Sequence, residues 1–245
     1  MSLLDTLRQG VIVSVQASAG EPFDAPEYIG VMARAVMDGG ARALRLANTA
    51  THNNIAHVKK LLPQAPVIGI TKPDKIPADA ASLVYITPTL ADVLSLADNG
   101  AEVVAMDATQ RERPGGESLT DIVTEARRRY PGLLLMADVA TAAEGLAAAE
   151  LGFDLLSTTL SGYTTETLSH PAAEADIPDY ALMSELSELT GKPVILEGRL
   201  WEPAQVHKAF ERGAYAVVIG SAITRPHMIT QRFCLAAALP VPHSG

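Results

Sequence analysis

The sequence predicts a closed (β/α)8 barrel, a TIM barrel of the phosphate-binding type with a short N-terminal helix. Three observations carry that prediction. Eight short apolar runs alternate with helical or loop segments, as parallel strands buried on both faces require. One helix-ending form recurs before four of the strands, at Asp38-Gly39-Gly40-Ala41, Asn99-Gly100-Ala101, Leu151-Gly152-Phe153 and Arg212-Gly213-Ala214. Glycine there supplies a left-handed helix stop. The strands end on Gln16, Arg45, Lys72, Asp107, Asp138, Thr158, Glu197 and Gly220. Such barrels draw their functional groups from this rim. The alternative, a doubly wound open sheet, lacks its signature: no G-x-G-x-x-G follows an early strand.

At 245 residues, one barrel accounts for the whole chain, residues 1–245, as a single domain. Hydrophobic residues make up 48% and aromatics 4%, so aliphatic side chains must fill the core. A net charge of −9 argues against a nucleic-acid or anionic-membrane surface. The start has no basic region followed by a long apolar core, and no apolar run reaches membrane-spanning length. The expectation is a cytoplasmic protein. A lone Cys234 excludes an internal disulfide and a thiolate zinc cluster, and reads as a buried helix residue.

In chain order, Ser2–Gln9 reads as the short first helix, capped by Ser2. Val11–Val15 is the first strand. The next helix, Pro26–Asp38, repeats Ile29, Met32, Ala33 and Val36 at helical spacing. Ala43–Leu46 is the second strand, and Asn53 or Asn54 caps the helix after it. Val67–Ile70 is the third. Pro73 and Pro77 then forbid a helical crossover, so Leu83–Ile86, though strand-like, is an excursion of that loop. Thr89 caps the next helix. Val103–Met106 is strand four, and Ser118 to Asp121 has capping-box spacing. Leu133–Ala137 is strand five, with a second capping box at Thr141 and Glu144. Asp154–Ser157 is strand six, followed by a long Gly/Thr/Pro loop and a helix opened by Pro178. The stretch Pro193-Val194-Ile195-Leu196-Glu197-Gly198 is strand seven, four apolar residues followed by a carboxylate and a glycine, with Pro203 starting its helix. Ala216–Ile219 is strand eight, before a last helix from about Pro226.

Glu197 closes a fully buried strand, where an unpaired charge is costly. A carboxylate at that place is there for a purpose. Partial burial raises its pKa and suits it to acid/base work. Lys72, at another strand end, can act as a Schiff-base nucleophile, a proton donor or an electrophile. Gly198 and Gly220-Ser221-Ala222 follow strands seven and eight, where these barrels hold phosphate on loop amides and a short helix. Arg225 adds a charged contact there. Asp138 closes strand five on the same polar rim. Thr158 and Tyr163, at and beyond the end of strand six, are further substrate-contact candidates. The histidines His52, His57, His170, His207, His227 and His243 miss the strand ends and lack zinc-ligand spacing, so no metal is expected.

Several ordered segments bear a family resemblance. They include Val13-Ser14-Val15-Gln16, Ile68-Gly69-Ile70-Thr71-Lys72, Met136-Ala137-Asp138 and Thr158-Thr159-Leu160-Ser161-Gly162-Tyr163-Thr164. Glu197-Gly198-Arg199 and Ile219-Gly220-Ser221-Ala222-Ile223-Thr224-Arg225-Pro226 complete them. The chain resembles the N-acetylmannosamine-6-phosphate 2-epimerase family, a sialic-acid catabolic group. The resemblance implies a phosphate-binding barrel needing no metal or organic cofactor, with catalytic Lys72 and Glu197. It implies substrate contacts at Gln16, Arg45, Asp138, Gly198, Gly220 and Arg225, and a homodimer. Two departures bear on the edge of the substrate: Pro73, where the family usually has Arg, and the longer polar stretch Asn48–Asn54. Rival readings are a Schiff-base aldolase or lyase built on Lys72, and a sugar-phosphate-binding barrel without turnover.

Overall fold

The computed structural model describes residues 2–238. Eight parallel strands close into a barrel in the order β1 (Val11–Val15), β2 (Ala43–Asn48), β3 (Val67–Thr71), β4 (Val103–Asp107), β5 (Leu134–Asp138), β6 (Leu155–Ser157), β7 (Val194–Glu197) and β8 (Ala216–Ile219). The ring shuts through β8 and β1, with Val11 opposite Val217 and Val13 opposite Ile219. The helices are α1 (Leu3–Leu7), α2 (Pro26–Asp38), α3 (Asn54–Leu61), α4 (Leu90–Asp98), α5 (Leu119–Arg129), α6 (Ala142–Leu151), α7 (Pro171–Glu174), α8 (Tyr180–Thr190), α9 (Pro203–Glu211), α10 (Ser221–Thr224) and α11 (Pro226–Ala238). No helix among the described residues is long and apolar enough to cross a membrane.

The strand period of two sorts every strand into two faces. Ile12, Ala43, Ile68, Ile70, Val103, Ala105, Met136, Leu155, Ile195, Ala216 and Val218 form one buried cluster, the filling of the barrel. Their neighbours Val13, Leu44, Leu46, Val104, Leu135, Leu156, Leu196 and Val217 belong to a second cluster, between strands and helices. Leu7 of α1 is fully buried and joins the inner cluster, so α1 plugs the N-terminal end of the barrel. It is tied there by Tyr215, whose hydroxyl donates to the Leu4 carbonyl and whose carbonyl accepts from the Gln9 amide.

Helix ends follow local chemistry. Ser2, Thr89 and Thr141 form capping boxes with Asp5, Asp92 and Glu144, and each such cap stabilises its helix by about 1 kcal/mol. Ser118 sits at the N-cap of α5 but makes no side-chain cap bond. The adjacent Glu117 carboxylate instead accepts from the Leu90 amide at the start of α4. The four repeated glycine stops hold: Gly40, Gly100, Gly152 and Gly213 all have φ between +92° and +99°. Leu83–Ile86 is not a strand. It is a loop excursion that buries Val84 and Ile86 over the barrel top, and the Ile86 carbonyl accepts from the Asp107 amide.

The final helix departs from expectation. No side chain of α11 is buried, and Cys234, expected inside, is exposed. Phe233 is 73% and Leu235 62% exposed.

Candidate active site

The same alternation that fills the barrel decides which polar groups meet at its mouth. Two residues beyond the inward-facing Ala43, Met136 and Ile195 come Arg45, Asp138 and Glu197. These three converge. Arg45, 1% exposed, forks onto Asp138, 0% exposed, with Nη1–Oδ1 3.1 Å and Nη2–Oδ2 2.5 Å. The same Nη1 lies 3.0 Å from Glu197 Oε2. One guanidinium thereby serves two carboxylates, which a fixed fork of donors can do and an ammonium cannot. Burial alone would lower the Arg45 pKa; the charges of Asp138 and Glu197 outweigh it and raise it.

Above this floor opens a cavity of about 440 Å³ lined by Gln16, Lys72, Tyr85, Thr159, Glu197 and Arg225, among others. Burial pushes the Glu197 carboxyl up, reinforced by Asp138 and opposed by Arg45, Thr159 and Lys72. Burial brings Lys72 down to about 8, helped by Arg45 and resisted by Glu197 and Asp138. An acid raised and an amine lowered across one cavity is a pair able to exchange a proton near neutrality. Gln16 is held by its own strand, its side-chain amide donating to Ser14 Oγ at 2.7 Å.

The far side of the cavity is built from β7 and β8. Gly198 takes φ +107°, a conformation that side chains rarely adopt. Gly220 precedes α10, and the Ser221 and Ala222 amides, in the first turn of that helix, have no intrahelical acceptor. Arg225 turns its guanidinium toward this rim, with Nη2 3.4 Å from Glu21 Oε2 and 3.5 Å from Ser18 Oγ. Two glycines, free amides and an arginine are the groups from which an anion cradle can be built.

Arg199 closes the adjoining wall. Its Nε donates to the Ile177 carbonyl at 2.7 Å and its Nη1 to the Ser161 carbonyl at 2.9 Å. It thus grips both ends of the loop between β6 and α8. Its guanidinium also lies over Tyr163, 5.6 Å from the ring centroid. Tyr163 lines the cavity while half exposed.

Two rim residues named from sequence are engaged elsewhere. Thr158 is buried, and its hydroxyl accepts from the Glu197 amide at 3.1 Å and donates to the Glu197 carbonyl at 3.0 Å. It stitches β6 to β7, and the cavity is lined instead by Thr159. Asp107 is held by the Thr109 amide and hydroxyl and paired with Arg111, which also donates to the Ala80 and Ala81 carbonyls. That network fastens the loops after β3 and β4. The polar stretch after β2 is also structural: Asn48 Oδ1 accepts from the Ile55 amide at 2.9 Å, and Thr51 donates to Asp74 at 2.9 Å. His243 lies outside the described residues. Thr159 and Arg199 also line the cavity, though neither is a strand-end position counted from the sequence. Strand alternation counted from Leu155 would have pointed to the first, and nothing local pointed to the second.

Residues 29–238 match the family model NanE, "Putative N-acetylmannosamine-6-phosphate epimerase". A protein of Caldanaerobacter subterraneus subsp. tengcongensis named "Putative N-acetylmannosamine-6-phosphate 2-epimerase" is 44% identical, over 95% of this chain and 93% of its own. A protein of the same name from Clostridium perfringens is 41% identical, over 94% of this chain and 98% of its own. The solved structure of the N-acetylmannosamine-6-phosphate 2-epimerase from Clostridium perfringens superposes with a TM-score of 0.86 at 40% identity, covering 96% of each chain. A thiamine phosphate pyrophosphorylase from Pyrococcus furiosus, 16% identical with a TM-score of 0.59 over 98% of this chain and 100% of its own, shares the fold alone. By its family match, and by identities above 40% over nearly its whole length, this chain belongs to the NanE family of N-acetylmannosamine-6-phosphate epimerases.

Proposed function

We propose that this protein interconverts N-acetylmannosamine 6-phosphate and N-acetylglucosamine 6-phosphate by moving the proton at C2, with its own side chains as the acid and base. The observation that carries the reading is the shared cavity of Lys72 and Glu197, whose proton affinities are drawn together.

In the open-chain sugar, C2 lies beside the C1 aldehyde. Glu197 takes the C2 proton. The C–H electron pair becomes the C1–C2 double bond, and the carbonyl pair moves onto O1. Lys72, as ammonium, stabilises that oxyanion. A proton returned to the opposite face of C2 completes the inversion, and we assign that step to Lys72, which stands on another strand end from Glu197. Proton and electron counts balance without an outside oxidant.

The anion cradle of Gly198, Gly220, Ser221 and Arg225 suits the 6-phosphate. Binding energy there holds C2 against the reacting pair. Gln16 and Tyr163 contact the sugar between. Arg45 and Asp138 lie beneath Glu197 and act by fixing it. A phosphorylated sugar as substrate supports a cytoplasmic location, and a single domain for the chain is part of the same reading. The uncovered apolar side chains of α11 suit a homodimer, because exposed apolar patches mark association surfaces.

Incubation with either sugar phosphate in D2O, followed by NMR at C2, tests the reading. Deuterium enters C2 and both epimers appear if it holds. A folded protein that binds the sugar phosphate without exchange would be a binding barrel. A borohydride-trapped adduct on Lys72 would make it a Schiff-base enzyme.

A further inference from the structure

Thr159 Oγ1 stands at a crossing of three polar atoms. It lies 2.8 Å from Asp138 Oδ1, 3.0 Å from Glu197 Oε2 and 2.8 Å from Ser157 Oγ. All three are close enough to be hydrogen bonds. A hydroxyl has one proton to donate and two lone pairs to accept with. Ser157 is fully buried and its hydroxyl can donate to Thr159. That leaves one donor and one acceptor site for two carboxylates.

When both carboxylates are ionised, the count fails. Thr159 donates to one, and the other faces a hydroxyl lone pair at about 3 Å. When Glu197 carries a proton, the count closes. Glu197 donates to Thr159, Thr159 donates to Asp138, and Ser157 donates to Thr159. Arg45 Nη1, with two hydrogens, serves Asp138 Oδ1 and Glu197 Oε2 in either state. The proton-bearing form therefore has one more hydrogen bond around Thr159 than the ionised form. In so enclosed a site such differences count, because solvent reaches these groups only from the cavity side.

We propose that Thr159 is a positioning residue that stabilises the proton-bearing form of Glu197, accepting its carboxyl hydrogen while donating to Asp138. This rests on Glu197 as the group that takes the C2 proton, for that transfer creates the stabilised form. The groups facing Glu197 from the other strands are Arg45 on β2, Lys72 after β3 and Asp138 on β5. Arg45 and Lys72 favour the ionised carboxylate, and so does Thr159 whenever its hydroxyl donates to Glu197. Asp138 lies nearer that hydroxyl, at 2.8 Å against 3.0 Å, and by claiming its proton turns Thr159 into an acceptor; Asp138 and Thr159 in that orientation then add to burial in the opposing pull. The effect is to make Glu197 a stronger base than its cationic neighbours alone would allow.

The test pairs a titration with kinetics. The Glu197 carboxyl is followed by 13C NMR of glutamate-labelled protein, its resonance assigned with Glu197→Gln. Thr159→Val removes the hydroxyl at nearly constant shape, and Thr159→Ser keeps it. The expected result for valine is a Glu197 midpoint lowered by about one pH unit, a tenfold change in proton binding. C2 exchange then slows by up to about tenfold in kcat with KM little changed, since proton transfer follows basicity. Serine restores both. A midpoint unmoved or raised in the valine variant, or a serine variant that behaves like valine, overturns the proposal. Should valine not fold, Thr159→Ala carries the same prediction. Wild-type protein that shows no exchange, while the midpoint still falls in the variant, would sink the epimerase reading and leave Thr159 in its place.

Discussion

Arg45 and Asp138 meet as a two-bond fork at the floor of the barrel-top cavity, 93 residues apart in sequence and together almost wholly removed from solvent. Neither charge has water to fall back on. Replacing Arg45 by Met leaves Asp138 and Glu197 facing each other without a cation, and is expected to cost about 3–5 kcal/mol of stability. Chemical denaturation checks this. Lysine should rescue only part of the loss, because a point charge cannot reproduce the fork.

Glu197→Gln keeps the shape of the side chain and removes its basicity. C2 exchange should disappear, while inorganic phosphate still raises the melting temperature through the cradle at β7 and β8. Residual exchange near the wild-type rate would remove Glu197 from its role.

The pH profile of exchange should be a narrow bell. Glu197 is raised, so its acid limb falls above the ordinary glutamate range. Lys72 titrates at about 8, so the alkaline limb, where its ammonium is lost, falls near there and not near 10.5. Stability carries the same signature with opposite consequences. The lowered Lys72 contributes stability that is present above 10.5 and lost as pH falls through about 8. The raised Glu197 contributes stability that is present at low pH and lost as pH rises through its folded value. Denaturation midpoints of Lys72→Met and wild type, compared across pH 7 to 11, separate the lysine contribution.

Arg225→Met should act on binding more than on chemistry. Its guanidinium faces the rim without a fork to any carboxylate, and its distances to Glu21 and Ser18 are long. Loss of one charge-assisted contact to phosphate corresponds to about 1.5–3 kcal/mol. The expected signature is a KM for sugar phosphate raised tenfold or more, with kcat reduced far less.

Phe233→Asp tests the association surface. It replaces the most exposed large apolar side chain of α11 without touching the barrel. Light scattering should find the wild type as a dimer and the variant shifted toward monomer, with its circular dichroism unchanged. A wild type that is monomeric at micromolar concentration would end the dimer proposal.

The barrel was legible because its signals are local and repeated. Glycine stops before strands, the cap at Thr89, the capping box at Thr141, and apolar runs of four or five residues each need only a short window. The polar rim was legible too, since strand ends can be counted. What escaped depends on direction and on distant partners. Thr158 and Thr159 are adjacent, and only the inward phase of Leu155 tells that the second faces the cavity. The hold of Arg199 on Ser161 and Ile177 spans 38 and 22 residues, so no local pattern announces it. The four-residue helix α7 is too short to show a period. Cys234 was misplaced because a terminal barrel helix is ordinarily packed, and α11 is not.

Leu7 seals the base of the barrel from below. The cavity that holds Lys72 and Glu197 therefore opens away from that seal, at the C-terminal ends of the strands. In the proposed reaction sugar, product and any proton traded with the medium would share that mouth, and an occupied mouth would isolate the chemistry from bulk water until the ligand leaves.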